Sequence, residues 1–230
     1  MLTLHHAPTT RSFRIKWLLE ELRVPYEQKV YNFYNEDRVA ADFLEINAGA
    51  TFPAMEDDGL VLTESGAIIN YILRKYGNGR FQPKSIEEQA QVDQWMFWSE
   101  GNFAIYQRYF WDHLTPPPAC VLDPIKAVGE EGVKQAIKYS YQAEIALRDT
   151  GFMVGDDMTG ADFMLCFPLF LGNLAKMFET RPKIRAYVGR IAARPAYQAA
   201  IADTMEALKT LFTPDARSFR VYEESITIWK

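Results

Sequence analysis

Two short motifs in the first third of the chain carry residue types that suit the binding of a small extended peptide. Phe52-Pro53 precedes a short apolar run, and Glu64-Ser65 opens an amphipathic helix. If the Phe52-Pro53 bond is cis and leads into an edge strand, Phe52 offers its backbone N–H and C=O to an extended peptide. The free N–H groups at the start of the helix would then meet a charged end of that peptide. Together the motifs predict a peptide pocket.

Each motif also has an interpretation that involves no ligand. Most X-Pro bonds are trans, and a serine at a helix start is more often a cap. Single motif matches are therefore weak signals. The order and spacing of the surrounding elements must decide between the two interpretations.

The elements before the first motif form a βαβα unit. Hydrophobic spacing predicts a strand over residues 2–5, a helix over Ser12–Leu22, a half-buried strand over 25–31 and a short helix over 37–46. A β-crossover-β connection is right-handed and places its two strands parallel. The segment is therefore expected to contribute a parallel strand pair to a sheet.

The elements after it complete a small α/β domain. Two short strands, 53–56 and 60–62, flank Asp57-Asp58-Gly59, and a helix follows over 65–76. This order predicts a four-stranded mixed sheet in a thioredoxin-like βαβαββα domain. From residue 86 onward the periodicity is helical, which predicts an all-α bundle.

The predicted domain boundaries follow the change in periodicity. We expect an α/β domain over 1–77, a Gly- and Pro-containing linker over 78–85 and an all-helical domain over 86–230. The last stretch, residues 212–230, is too apolar for a free tail, so we expect it to pack over the first domain or close a pocket.

Composition excludes several function classes. The 230 residues are 48% hydrophobic, with a net charge of −5 and scattered basic residues, which argues against a nucleic-acid partner. No window is apolar enough to span a membrane and no leader pattern is visible, so we expect a cytoplasmic protein. Cys120 and Cys166 lie outside any CxxC pattern, and His5 and His6 point to opposite faces of a strand. We therefore expect no metal site and no disulfide.

A third motif serves stability. Thr159-Gly160-Ala161-Asp162 matches a capping box in which Asp162 returns to the Thr159 N–H. Capping alone explains these residues.

Taken in order, these motifs resemble those of the cytosolic glutathione transferases over essentially the whole chain. The resemblance is carried by Phe52-Pro53, by Glu64-Ser65-Gly66-Ala67-Ile68 and by Arg194-Pro195-Ala196-Tyr197. Leu4-His5-His6 and Trp98-Ser99-Glu100-Gly101 are most similar to a bacterial and fungal subgroup with a serine-type active-site loop. The resemblance implies a homodimeric, glutathione-dependent detoxifying transferase that needs no metal.

The resemblance also implies where glutathione binds. Phe52 pairs with the cysteinyl backbone, and Glu64 and Ser65 hold the γ-glutamyl carboxylate. A hydroxyl and helix N–H groups suit an anion at Ser65, whereas the Glu64 carboxylate is expected to hold the γ-glutamyl ammonium instead. Thr51 stands where relatives commonly carry a lysine, which predicts weaker binding unless Lys16, Arg11 or Arg14 compensates. The expected glutathione-binding set is Thr9, Ser12, Thr51, Phe52, Pro53, Glu64 and Ser65.

The activating hydroxyl is expected in the loop between the first strand and helix. Counting back from Arg14, the resemblance assigns it to Thr10, with Arg11 assisting, while Thr9 and Ser12 remain alternatives. A hydroxyl that donates to sulfur stabilises the thiolate, which is the nucleophile. Thr10 could instead only cap the first helix.

Residues 95–111 are unusually rich in aromatic side chains. We expect about half of them to be core and the others to form an electrophile pocket or a dimer interface. The predicted pocket residues are Phe103, Tyr106, Tyr109 and Phe110. The same thiolate would also serve thiol transfer or ether cleavage, and a third possibility is a non-catalytic protein that binds ligands or partners.

Overall fold

The computed structural model describes residues 1–114 and 123–211. They form two compact units, one of Met1–Gln82 with Ala192–Leu208 and the other containing Pro83–Ile191. The predictions made for Cys120 and for residues 212–230 lie outside the described residues. The predicted linker at 78–85 would place the last helix in the helical domain. In the structure, most of that helix belongs to the first unit.

The first unit has the predicted thioredoxin-like element order. In chain order, its elements are β1 (Leu2–His6), α1 (Ser12–Leu22), β2 (Glu27–Val30), a 3₁₀ turn (Glu36–Val39), α2 (Ala41–Ile46), β3 (Ala54–Asp57), β4 (Leu60–Thr63) and α3 (Ser65–Tyr76). The helix expected over 37–46 is interrupted because Ala40 adopts an extended conformation, with φ −62° and ψ 140°. α1 has the predicted bounds.

The four strands form the predicted mixed sheet in the order β2-β1-β3-β4. β1 pairs with β2 in parallel, whereas β1/β3 and β3/β4 are antiparallel. The expectation that Phe52-Pro53 leads into an edge strand is wrong, because the hairpin places β4 outside β3. The peptide-pairing groups must therefore lie before β3.

α1 packs against the last helix within the first unit. The ring of Tyr197 meets Phe13 and Trp17 edge-on, with centroid distances of 5.0 and 5.4 Å. Arg194 Nη2 donates to Glu21 Oε2 at 2.8 Å. These contacts explain why a helix near the C-terminus belongs to the α/β unit.

The second unit is helical, as predicted. In chain order, its helices and that last helix are α4 (Ile86–Trp98), a π-helical segment (Ser99–Ala104), α5 (Ile105–His113), α6 (Lys126–Ala146), α7 (Gly160–Leu174), α8 (Pro182–Ala192) and α9 (Pro195–Leu211).

The capping box that begins α7 is confirmed. The Asp162 carboxylate is fully buried and accepts hydrogen bonds from the Thr159 N–H at 2.7 Å and from the Tyr187 hydroxyl at 2.8 Å. Burial raises the pKa of Asp162, although these hydrogen bonds oppose the shift. The box therefore lies in the core.

No helix within residues 1–114 and 123–211 is long and apolar enough to cross a membrane. Over the same residues, no group of three or more His, Cys, Asp or Glu side chains has the arrangement of a metal site.

Candidate functional site

The sheet topology brings the predicted site segments to one end of the sheet. His5 near the end of β1 pairs with Ala54 at the start of β3, and Ala54 also pairs with Thr63 at the end of β4. The same end of the sheet therefore carries the loop after β1, the residues before β3 and the start of α3. This convergence could not be read from sequence spacing alone.

The Phe52-Pro53 peptide bond is cis. The strand register begins at Ala54, so the backbone N–H and C=O of Phe52 lie outside the ladder. The Phe52 ring is buried against Phe43 at a centroid distance of 4.5 Å, in a cluster that also contains Ala7. Packing therefore holds Phe52 beside the loop that follows β1.

Glu64 and Ser65 have different environments. Glu64 is exposed and has a left-handed backbone, with φ 68° and ψ 110°, a conformation that is unfavourable for a residue with a Cβ. Ser65 is buried, and its Oγ accepts a hydrogen bond from Arg14 Nη1 at 2.9 Å. The first α3 N–H groups have no partner within the helix. The start of α3 thus combines helix N–H groups, a hydroxyl and the neighbouring Arg14 guanidinium.

The loop before Phe52 is organised by Asn47. Its Nδ2 donates to the backbone oxygen of Thr51 at 2.7 Å and to Thr51 Oγ1 at 3.1 Å, while its Oδ1 accepts from the Gly49 N–H at 3.0 Å. Thr51 itself is exposed. Because Thr51 Oγ1 already accepts a hydrogen bond, its own proton remains available for donation.

The Thr10 hydroxyl is half-buried in the loop between β1 and α1. Thr10 Oγ1 lies 2.8 Å from the Ala7 backbone oxygen and 2.8 Å from Ser12 Oγ. It also accepts from the Ser12 N–H at 3.3 Å, so Thr10 contributes to the first turn of α1. A cap and a ligand donor are compatible roles, because the cap uses the oxygen lone pair and donation uses the proton.

The two alternative hydroxyls lie in different places. Ser12 has no exposed surface, and its Oγ contacts His6 Nδ1 at 2.8 Å. Thr9 adopts a positive φ of 69°, and its hydroxyl donates to the Tyr34 hydroxyl at 3.4 Å. Of the three hydroxyls, Ser12 is the one turned into the core.

A series of hydrogen-bonded polar side chains continues from Ser12 to the last helix. His6 Nε2 lies 3.1 Å from Asp203 Oδ2, and Lys16 Nζ forms an ion pair with the same carboxylate. Burial alone would raise the pKa of Asp203, but the hydrogen bonds from His6 and Lys16 hold it well below its usual range. The Thr9 N–H also donates to Thr204 Oγ1 at 3.3 Å. α9 therefore contacts the Thr10 loop through Thr204, whereas Asp203 contacts the end of β1 and α1.

Two of the three cations expected to compensate for Thr51 are already engaged. Lys16 is paired with Asp203, and Arg14 donates to Ser65. Arg11 is half-buried at the start of α1.

Half of the aromatic side chains over residues 95–111 are buried. Phe103 and Phe110 are buried, and Phe103 stacks on Trp98 at 5.2 Å. Tyr106 and Tyr109 are half-buried and meet edge-on at 5.9 Å. Four of the eight aromatic residues over 95–111 are buried, as expected, namely Trp95, Trp98, Phe103 and Phe110.

Sequence reasoning missed Asp203, Asn47 and the support that Arg14 gives to Ser65. Asp203 is 197 residues from His6, and no local pattern marks it. Arg14 served only as the reference position for assigning Thr10. Nothing in its sequence position indicated that it contacts Ser65 at the start of α3.

Comparisons with known proteins agree with this geometry. Residues 1–74 match a family described as "Glutathione S-transferase, N-terminal domain". The chain is 29% identical to glutathione S-transferase 3 of Schizosaccharomyces pombe over 93% of this chain and 92% of the relative. It is also similar to two solved structures.

One is a glutathione S-transferase from Actinobacillus pleuropneumoniae, with a TM-score of 0.71, 28% identity and coverage of 89% of this chain and 93% of that one. The other is Ure2p, a yeast prion protein, in complex with glutathione, with a TM-score of 0.76, 21% identity and coverage of 87% and 94%. The second similarity concerns the fold alone.

Proposed function

We propose that the chain is a cytosolic glutathione transferase that transfers the thiolate of glutathione to an apolar electrophile. The match of residues 1–74 to the N-terminal domain family and the 29% identity to a yeast transferase support this assignment. The main support is that the Thr10 hydroxyl, the backbone of Phe52 and the start of α3 emerge at one end of the sheet. A peptide thiol held there has a hydroxyl donor, an extended-backbone partner and an anion site within a single unit.

In this proposal the α3 start holds the γ-glutamyl end of glutathione. The carboxylate accepts from the first α3 N–H groups and the Ser65 hydroxyl, a favourable position at the positive end of the helix. Arg14 donates to Ser65 Oγ, and a serine hydroxyl both accepts and donates hydrogen bonds. Exposed Glu64 pairs with the ammonium, and Phe52 pairs with the cysteinyl backbone beside Pro53.

Thr10 would act on the sulfur. Its proton has two acceptors in the protein, the Ala7 oxygen and Ser12 Oγ, and a third in a bound thiolate. Donation to sulfur stabilises the thiolate relative to the thiol and lowers the pKa of the thiol. We propose that Arg11 adds positive charge near the sulfur and that Thr9 and Ser12 support the loop.

The electrophile contacts are assigned to the helical unit. We propose Tyr106 and Tyr109 as the residues that meet it, since both retain exposed surface. Phe103 and Phe110 would support the pocket from behind, because they are buried. Thiol transfer or ether cleavage with the same thiolate are alternatives within this site.

A non-catalytic glutathione-binding protein is the second candidate function. Thr51 in place of a cationic residue supports it, because one charge-assisted hydrogen bond to the glycyl carboxylate is lost. The fold similarity to Ure2p is compatible with both functions.

A titration followed by a turnover screen tests the proposal. Calorimetric titration with glutathione is expected to give binding to the wild type and markedly weaker binding to Ser65→Ala. A screen of chlorinated aromatic, epoxide, disulfide and thioether substrates should then give glutathione-dependent turnover. Binding without turnover on any of them favours the non-catalytic function, and absence of binding refutes both.

We further propose that the protein is a homodimer. β4 is an edge strand of the sheet and exposes an apolar side chain on each face, with Leu60 40% and Val61 43% exposed. An edge strand with exposed apolar side chains is a surface on which a second copy of the chain can pack. Light scattering on the wild type and on Val61→Glu tests this, since the variant should shift towards monomer if β4 lies in the interface.

A further inference from the structure

A continuous series of hydrogen bonds connects the Thr10 hydroxyl to a half-buried carboxylate of α9. Thr10 Oγ1 lies 2.8 Å from Ser12 Oγ, Ser12 Oγ lies 2.8 Å from His6 Nδ1, and His6 Nε2 lies 3.1 Å from Asp203 Oδ2. All three distances are within hydrogen-bonding range. His6 and Ser12 have no exposed surface, so no substrate reaches them directly.

The donor and acceptor groups in this series of hydrogen bonds determine where its protons lie. A carboxylate offers only acceptor atoms, so His6 Nε2 must carry a hydrogen when it contacts ionised Asp203. In a neutral imidazole the other nitrogen, Nδ1, is then an acceptor. The Ser12 hydroxyl proton has two acceptors, His6 Nδ1 at 2.8 Å and the Ala7 backbone oxygen at 3.0 Å. When this proton is donated to Nδ1, Ser12 Oγ can only accept in its contact with Thr10, and each group then donates toward the next one, from Thr10 to Asp203.

We propose that this chain is a proton relay that takes the thiol proton of glutathione to His6, which makes His6 the internal proton acceptor for thiolate formation. The inference rests on the proposed glutathione-dependent function and on Thr10 facing the sulfur. It gives the buried His6 and the half-buried Asp203 a role that neither ligand binding nor packing requires.

The relay balances. The S–H bond breaks as its proton passes to Thr10 Oγ1, the former Thr10 proton passes to Ser12 Oγ, and the former Ser12 proton passes to His6 Nδ1. The products are a thiolate and an imidazolium. Thr10 then holds the former thiol proton and donates it back to the thiolate as a hydrogen bond. After transfer to the electrophile, the His6 proton returns along the same path to the leaving group or to water.

The charged groups beside His6 lie on α9 and α1. Asp203 on α9 is ionised and accepts from His6 Nε2. Lys16 on α1 pairs with the same carboxylate. Tyr26 also lies near Asp203, and its hydroxyl donates to Glu20 at 2.8 Å. Of these groups, Asp203 is the one in contact with the imidazole.

The relay also differs from a surface Ser-His-Asp arrangement. In a hydrolase the serine attacks the substrate, whereas Ser12 is buried and contacts Nδ1 rather than facing a cleft. We therefore assign Ser12 a proton-carrying role, His6 the role of proton acceptor and Asp203 a positioning role that acts through His6.

The decisive test uses the wild-type protein, so that it does not depend on how variants fold. Ultraviolet absorbance counts the thiolate formed when glutathione binds at about pH 7.5, where an ordinary histidine is neutral. Calorimetric titration in two buffers of different ionisation enthalpy counts the protons released. The proposal expects well under one proton released for each thiolate formed, because the proton stays on His6. Release of one proton per thiolate overturns it.

His6→Asn provides the second test. The amide keeps a hydrogen-bond partner for Ser12 but is not a base at neutral pH. We expect the rate at neutral pH to fall about ten- to hundredfold. A general base usually contributes a factor of about a hundred or more, but the loss should be smaller here because water can still accept the thiol proton more slowly. Above about pH 9 a thiol ionises without help, so the variant should approach the wild-type rate. The same fold loss at every pH indicates a structural role and overturns the relay.

Two further variants complete the design. Asp203→Asn should change the rate and the proton count in the same direction as His6→Asn, because it removes the partner of the imidazolium. Glu21→Gln is the matched control, since it removes the ion pair between α1 and Arg194, the residue that precedes α9, without touching the relay, and it should leave the proton count unchanged. Absence of glutathione binding by the wild type refutes the proposed function itself, whereas thiolate formation with full proton release refutes only the relay.

Discussion

Replacement of Thr10 by valine should separate thiol activation from glutathione binding. Valine keeps the β-branched shape of threonine and removes only the hydroxyl. The Phe52 backbone and the α3 start do not involve this hydroxyl, so we expect the dissociation constant for glutathione to change by less than about threefold. The substitution therefore removes the proposed donor to sulfur and leaves the other ligand contacts in place.

The magnitude follows from the hydrogen bond that is lost. A hydrogen bond to a charged group contributes about 1.5–3 kcal/mol, which at about 1.36 kcal/mol per unit raises the pKa of the bound thiol by about one to two units. If the wild-type thiol titrates near about pH 6.5, the ionised fraction at that pH falls from one half to between about 9% and 1%. The expected rate loss is about five- to fiftyfold near pH 6.5, and it disappears above about pH 9.

The assay is the pH dependence of conjugation of a chlorinated aromatic substrate, together with the absorbance of the bound thiolate. Thr10→Ser is the matched control, because it keeps the hydroxyl, and it should stay close to the wild-type profile. Thermal unfolding should show a loss of about 1 kcal/mol for the valine variant, since the Ser12 N–H loses its acceptor. An unchanged rate for Thr10→Val at every pH refutes the assignment and transfers the role to another hydroxyl.

Three further predictions concern affinity and stability. Thr51→Lys should tighten glutathione binding by about ten- to hundredfold in calorimetry, because it restores a charge-assisted hydrogen bond of about 1.5–3 kcal/mol; unchanged affinity would mean that the glycyl carboxylate lies elsewhere. Asp162→Ala should lower the free energy of unfolding in urea by about 2–4 kcal/mol, since it leaves buried donors unsatisfied. Burial alone would raise the pKa of Asp57, but hydrogen bonds from Lys75, Tyr76 and Tyr71 lower it. The stability that Asp57 contributes should thus be present above about pH 4 and be lost as the pH falls through its lower folded pKa. Asp57→Asn should therefore weaken the decrease in the free energy of unfolding at acid pH.

The first unit could be predicted well because its signals are local. α1 has the predicted bounds, and the Asp58-Gly59 turn correctly indicated the β3-β4 hairpin. The missed feature was the position of β3 in the sheet. Sequence alone does not decide which hairpin strand pairs with β1, and this pairing makes β3 interior and β4 the edge.

The polar chain behind Thr10 could not be predicted, for a different reason. His6 and Asp203 are separated by 197 residues, and their contact depends on the packing of α9 against α1. Each residue has an unremarkable local context, namely a strand residue and a helix residue of no distinctive spacing. Only the folded chain brings them together beside the Thr10 loop.

The energetics of the Asp203 ion pair argue that it is more than a stabilising contact. Lys16 and Asp203 are only partly out of water, with 12% and 30% of their side chains exposed, and an ion pair in contact with solvent contributes little to stability. The Asp57 cluster illustrates a plain structural case, because its partners Lys75 and Tyr76 are held on α3. The hydrogen bonds from Asp203 instead lead to a half-buried hydroxyl beside the proposed sulfur position. An ionised group connected by hydrogen bonds to a reactive loop is the arrangement in which perturbed protonation serves chemistry, and this is why we expect the proton count, rather than stability, to reveal its role.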